Sequence, residues 1–341
     1  MTTPAGEAER GVELAAASSR AAALPDDRWR PFEAVFWLAP VACGLLFPGY
    51  LVLASRVFIA GLLALSLDLM LGYAGIVSLG HAAFFGVGAY AAGLLAAHGW
   101  GEPLSGLAAA GAAAALLGLA TSFLVVRGRD LSRLMVTLAI GLLVQEAANR
   151  AAPITGGVDG LSGVAMWRLL GLFPFDLEGK TAWIYSLSVL FGCFALARRL
   201  VASPFGLSLR GIRENARRMP ALGAPVRARL VAVFTLSAAL AGVAGALLAQ
   251  TTQFVGLDVL GFTRSAELLI MVVLGGAGRL YGALVGAALF MVAQDFLAGI
   301  DPVYWEFWLG LLLVAVVLFA RGGVLGGLDR VRARLAPRPS A

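Results

Sequence analysis

Three places in this sequence gather side chains of the kind that do chemistry. Ser78 and His81 stand three residues apart, and a serine hydroxyl beside an imidazole is the start of a nucleophilic hydrolase. A third group to orient the imidazole is missing nearby, so a polar helix-lining or packing role outweighs an intramembrane hydrolase. Gly179-Lys180-Thr181 matches the end of a phosphate-binding loop, but the glycine required five residues earlier is Pro174. This chain therefore carries no ATPase signature of its own. The third set is four carboxylates, Asp68, Glu146, Glu267 and Asp295, inside or near the ends of apolar runs. Carboxylates in such positions are costly to bury and are functional candidates by default. Glu146 has Arg150 at i+4 and Glu267 has Arg264 three residues before it, the spacings of structural ion pairs. Asp68 has no obvious local partner. His81 and His98, the only histidines, form no metal-ligand cluster, and Cys43 and Cys193 read as small hydrophobes within apolar runs.

The elements that position these residues follow from composition. Hydrophobic residues make up 60% of the 341 positions and charged residues 13%, with a mean hydropathy of +0.87. A soluble domain carries about 25% charged residues. Continuous apolar runs approach the roughly 20 residues that cross a bilayer as helix, and their lack of alternation excludes a barrel. The fold class expected is an all-α integral membrane protein. Ten candidate spans fall near 33–51, 55–71, 80–97, 104–126, 134–150, 181–200, 227–250, 264–278, 280–298 and 304–320. Glycines interrupt the second, third, eighth and ninth, which are candidates for broken or re-entrant helices.

Arginine placement predicts orientation. With both termini cytoplasmic, 21 of the 26 basic residues fall inside, which the positive-inside rule selects over the reverse. The net charge of +6 then reports topology rather than nucleic-acid binding. The division expected is a cytoplasmic tail over 1–32, a transmembrane domain over 33–320 with an external loop near 151–180, and a cytoplasmic tail over 321–341. The first tail has no apolar h-region and is not a secretory signal.

Between the sixth and seventh spans, residues 203–223 predict a short amphipathic helix. Ser203 and Pro204 suit its start, and Pro220 and Gly223 its end. Phe205, Leu209, Ile212, Ala216 and Met219 share one stripe, with Arg210, Arg213, Glu214, Arg217 and Arg218 mostly elsewhere. Physics alone allows a lipid anchor on anionic headgroups or a docking helix for a cytosolic partner.

Two glycine blocks stand out. Gly72 to Tyr90 is too glycine-rich for a straight helix, and its Ser78 and His81 add polarity that close packing does not require. It reads either as a broken helix lining a pore or as tight helix packing. Gly275 to Gly286 reads as a tight cytoplasmic turn leading into a packed helix. Its placement echoes the first block and points to an internal repeat, parallel or inverted.

Glu214-Asn215-Ala216 followed by Gly223 resembles the degraded Glu-Ala-Ala…Gly loop of ABC importer permeases. The stretch around it is similar to the LivM-type permeases of branched-chain amino-acid importers. So are the blocks LGYAGIVSLGHAAFFGVGAY (71–90), TGGVDGLSG (155–163), MVVLGGAGRLYGALVGA (271–287) and RGGVLG (321–326). The loop departs from the family pattern at Ala216, where an acidic residue is usual. The resemblance implies a multi-pass permease of a bacterial inner membrane importing branched-chain amino acids or related small solutes by alternating access. It implies a second, LivH-like permease subunit, two cytosolic ATPase subunits that use the ATP, an external solute-binding protein, and no cofactor or metal held by this chain. Phe205, Arg210, Ile212, Arg213, Glu214, Asn215, Arg217 and Gly223 would couple to the ATPases. Asp68, Gly75, Ser78, His81, Phe84 and Tyr90 are candidates for the solute path. The competing reading is an ion-coupled secondary transporter with Asp68 or Glu146 as the proton or cation site.

Overall fold

The computed structural model describes residues 31–128, 130–169, 171–174, 179–319 and 323–327. The expected tails therefore lie, but for a few residues, outside the described residues. Among those described, the chain is helical with no strand beyond two isolated bridges, Leu161 with Val255 and Leu169 with Phe173.

The helices are α1 (Pro31–Leu46), α2 (Leu51–Asp68), α3 (Ala82–Ala97), α4 (Pro103–Arg127), α5 (Asp130–Arg150), α6 (Lys180–Ala202), α7 (Pro204–Asn215), α8 (Val226–Thr252), α9 (Phe262–Gly275), α10 (Leu280–Ile300) and α11 (Trp305–Phe319). Among the described residues, six stretches are long and apolar enough to cross a membrane: Pro48–Tyr73, Pro103–Arg127, Leu131–Arg150, Lys180–Ala202, Val226–Thr252 and Leu280–Ile300. Glu33–Leu46 and Ala82–Ala97 are apolar but shorter. At 14 and 15 residues, α9 and α11 are also short of the roughly 20 that span the hydrocarbon. The chain is a multi-pass membrane protein.

Burial explains the arrangement. From Phe58 to Met70, α2 is buried nearly all round, as befits a helix at the centre of a bundle. It packs against α6, α8, α9 and α10. By contrast, α1, α4, α5 and α11 turn large apolar side chains outward, among them Leu45, Phe123, Leu143 and Phe307. Water does not tolerate so much exposed hydrocarbon, but lipid tails or a second membrane subunit do.

Small residues set the spacing on one side of the bundle. The buried face of α4 runs Gly106, Ala110, Ala114, Gly118, Ser122. A Cβ added at Gly242 of α8 would overlap Ala114 and Ala110, and one at Gly88 of α3 would overlap the Gly242 backbone. Side chains there hold the three helices apart by almost nothing, the small-xxx-small mode of membrane packing. On the other side a half-buried ion pair between Arg198 and Glu33, 2.5 Å, fastens α1 to α6.

The ends of α8 fix which parts share a level. At its start lies α7. Beyond its end, Val255 bridges Leu161 of the 151–180 loop, N–H to O at 2.8 and 3.2 Å. The 27 residues of α8 span roughly 40 Å, so α7 and that loop sit at opposite ends.

Both glycine blocks break a helix at the α7 end. Helix α2 closes on a π-helical turn, Leu69–Tyr73, and the chain then runs without helix to α3. Helix α9 closes at Gly275 and re-forms as α10 five residues later. The same Leu-Gly-x-Ala-Gly run occupies 71–75 and 274–278, and its last glycine has positive φ each time, +71° at Gly75 and +86° at Gly278. Since α2 and α9 both end at this level, the echo is of two hairpins in the same sense rather than an inverted pair.

Candidate functional site

Helix α7 forms because Pro204 fits its first turn and Leu209 and Ile212 bury one face against the bundle. The expected stripe through Ala216 to Met219 does not continue as helix. The Asn215 Oδ1 accepts from the Arg217 and Arg218 N–H groups, 3.1 and 3.2 Å, and this local bond ends the helix at Asn215. Ser203 holds the N-cap position, but its hydroxyl donates to the Leu200 carbonyl at 2.6 Å instead of capping. A 3-10 turn, Met219–Leu222, follows, and Gly223 at φ +76° closes the segment.

The residues expected to couple this helix divide into two groups. Arg210 and Arg213 turn toward the bundle. The Arg213 Nη1 donates to the Gly72 carbonyl, one of the acceptors left over where the chain abandons α2. Arg210 lies over the Tyr73 ring, 5.3 Å to its centroid, a cation–π contact on the same π turn. Phe205 carries Arg229 over its own ring at 5.3 Å. Arg213 stays exposed despite its bond to Gly72, and Glu214, Asn215, Arg217 and Gly223 are exposed as well.

Asp68 supplies the second half of this junction. It is fully buried, and its Oδ1 accepts the Gly278 N–H at 2.7 Å. Its partner is 210 residues away, which is why no local partner showed in the sequence. The two glycine breaks also touch: a Cβ on Gly72 would overlap the Asp68 carboxylate and the Gly278 backbone. One on Gly278 would lie 2.9 Å from Arg213 Nη1 and 3.0 Å from the Gly72 carbonyl oxygen. Arg213, Gly72, Asp68 and Gly278 thus make one interlocked contact between α7 and both breaks.

Beneath it, Ser78, His81, Phe84 and Tyr90 are sealed inside the bundle. Ser66 donates its hydroxyl proton to the Leu63 carbonyl at 2.6 Å, so the 2.9 Å contact from His81 Nε2 must be an N–H donated to Ser66 Oγ. A nitrogen already protonated is not a base, and Ser78 has no hydrogen-bond partner in this arrangement. The hydrolase geometry is therefore not made. Phe84 packs edge-on to His81 and to Phe234, with centroids 5.6 and 5.5 Å apart. Ser78 and Tyr90 are buried, whereas Gly75 is exposed beside the Arg213 side chain. The non-helical stretch is kept satisfied from other helices, Leu79 N–H by Thr137 Oγ1 at 3.2 Å and Ala82 N–H by Ser265 Oγ at 3.0 Å.

These residues do not line an open space. A cavity of about 510 Å³ lies in the other half of the bundle, among α2, α8, α9, α10 and the 254–259 linker. Its wall includes Arg56, Arg264, Asp258 and Asp295, with Leu63 and Phe85 among its apolar residues. Leu63 also accepts the Ser66 bond and Phe85 adjoins Phe84, so Ser66, His81 and Phe84 lie on the α7 side of the cavity. Of the cavity charges, the sequence singled out Asp295 as a functional candidate and Arg264 only as the ion-pair partner of Glu267. Arg56 entered only as part of the topology count, because nothing local distinguishes a cavity arginine from a flanking one. Glu146 lies elsewhere, exposed and paired with Arg150 at 2.6 Å.

The family model described as branched-chain amino acid transport system / permease component matches residues 49–317. The high-affinity branched-chain amino acid transport system permease protein LivM of Salmonella typhimurium is 31% identical over 80% of this chain and 69% of its own length. LivM of Escherichia coli is 30% identical over the same shares. The corresponding permease protein LivH of Salmonella typhimurium is 23% identical over 78% of this chain and 90% of its own length. No solved structure matches. The matched residues run from the turn before α2 into α11 and take in both glycine breaks, α7 and the cavity, and the chain belongs to the family of permease components of branched-chain amino acid transport systems.

Proposed function

We propose that this chain is the transmembrane permease subunit of an ABC importer that carries branched-chain amino acids into the cytoplasm. Ten membrane passes, with both termini on the cytoplasmic side, place α7 and its arginines in the cytoplasm and the 151–180 loop outside. Partner ATPases bind and hydrolyse ATP, a second LivH-like permease completes the membrane unit, and an external binding protein delivers the solute. The similarity to both LivM and LivH proteins fits a pair of permeases of one architecture. The membrane is the bacterial inner membrane.

The observation that carries this reading is the grip of α7 on both helix breaks through Arg213 and Asp68. A helix that only anchored the bundle in lipid would need its apolar face and cationic edge. It would not need an arginine on the carbonyl of a broken helix. An ATPase that docks on the exposed Glu214, Asn215 and Arg217 side and closes would displace α7. It would move the ends of α2 and α9 together, because one arginine touches both. The sealed layer of Ser66, Ser78, His81 and Phe84 lies between those ends and the cavity. Its opening would pass solute inward, so the present arrangement is closed toward the cytoplasm. In this scheme Asp68 holds a turn rather than shuttling a proton.

The test is uptake of labelled leucine by the complete complex in proteoliposomes, with and without ATP at the ATPase face. Uptake should require ATP and persist when proton and sodium gradients are collapsed. Uptake that ignores ATP and follows a proton gradient would overturn the importer reading.

A further inference from the structure

Helices α2 and α10 each present one charge to the cavity with hydrocarbon beside it. On α2, Arg56 precedes Ile59 and Leu63 by three and seven residues, so all three share one face, and all three line the space. On α10, Asp295 follows Met291 by one turn, and both line it too. Phe85 from α3 and Met271 from α9 extend the apolar wall. The two charges are opposite in sign, and neither has an ion-pair partner among the described residues. Arg264 on the same wall differs, since Glu267 at 3.0 Å and Asp258 at 3.6 Å hold it. Both side chains are exposed rather than buried, so each can meet a charged group that enters the cavity, and charge on a membrane-crossing helix marks a functional site by default.

A cation and an anion on the wall of one largely apolar cavity complement one kind of molecule, a zwitterion with a hydrocarbon substituent. We infer that this cavity is the solute site of the permease and that it takes a free α-amino acid with an apolar side chain. Arg56 receives the α-carboxylate, Asp295 the α-ammonium, and Ile59, Leu63, Phe85 and Met271 the side chain. The inference rests on the importer reading and adds to it the place where solute is held. The volume of about 510 Å³ falls within the 300–1,000 Å³ common for small-molecule sites. An uncharged solute such as urea or an amide would leave both charges unmet, so the cavity selects amino acids among the solutes that the family resemblance left open. The charges lie well away from the α7 junction: Arg56 and Asp68 are twelve residues apart, about 18 Å along α2.

The experiment measures ATP-driven uptake by the complete complex, with assembly checked by co-purification of all subunits. Arg56→Gln should raise the KM for leucine about tenfold or more, the cost of losing a charge-assisted hydrogen bond. Asp295→Asn should do the same and narrow the discrimination between leucine and 4-methylpentanoate, which lacks the ammonium group. Arg56→Lys should recover part of the loss. If the wild-type complex imports leucine with ATP and both Gln and Asn variants keep its KM, the cavity assignment is overturned while the importer reading stands. If the wild-type complex imports no amino acid, the importer reading falls first. Should a variant fail to assemble, Ala60→Cys in a chain with Cys43 and Cys193 replaced by serine provides the second measurement. Leucine, but not 4-methylpentanoate, should slow maleimide labelling of that cysteine, and equal labelling in all three conditions would overturn the proposal.

Discussion

At its C-terminal end α2 is sealed. The carbonyl of Gly72 and one carboxylate oxygen of Asp68 find donors, the other oxygen is buried without a partner, and two glycine breaks press together with no room for a methyl group. In its N-terminal half the same helix borders open space and offers Arg56 without a partner. The contrast separates two jobs. A junction that transmits force between elements must be closely packed, since every slack contact wastes displacement. A site that binds and releases solute must keep charge unmet until the solute arrives.

Substitutions should break these two regions in different ways. The largest effect is expected from Gly72→Val, whose side chain overlaps the Asp68 carboxylate and the Gly278 backbone. ATP-driven leucine uptake should fall by about a hundredfold or more, as overpacking against backbone leaves nothing able to yield. A comparable enlargement in the cavity wall, Ala60→Val, should leave assembly and ATP hydrolysis intact and act on the KM for leucine. Next, Asp68→Leu should cost the chain about 2–4 kcal/mol in a denaturation assay, because the buried Gly278 N–H loses its charged acceptor. Asp68→Asn should retain much of that stability, since an amide oxygen can still accept. A smaller effect distinguishes the two sides of α7. Arg217→Glu, on the exposed side, should reduce co-purification of the ATPase subunits about tenfold, whereas Arg213→Gln should leave co-purification near wild type. The smallest effect should come from Glu146→Ala. That residue is exposed and paired only with Arg150, so uptake and thermal stability should be unchanged. A loss of uptake there would revive the ion-coupled alternative.

Much of the architecture was legible because its signals are local. Apolar runs declared helices, and the alternation of Leu209 and Ile212 with arginines declared a surface helix whose buried face the structure contains. Glycine density declared both breaks. What was not legible depends on distant partners. Asp68 meets Gly278 across 210 residues, and His81 meets Ser66 on the preceding helix rather than nearby Ser78. The cavity was missed for a related reason. Its charges come from three helices and a linker, each unremarkable alone, and the glycine block that drew notice as a solute path packs shut beneath it. The end of α7 at Asn215 was missed because a stripe of apolar spacing cannot show a side-chain oxygen competing for the next two N–H groups.

The central claim is that α7 moves both glycine breaks through Arg213. It is tested most directly by the number of ATP molecules hydrolysed per leucine imported, measured in proteoliposomes for the wild-type complex and for Arg213→Gln. The account predicts that the variant keeps its ATPase subunits and continues to hydrolyse ATP while uptake falls at least about tenfold, so the ratio rises in proportion. An unchanged ratio, with uptake and hydrolysis both at wild-type rates, would contradict it.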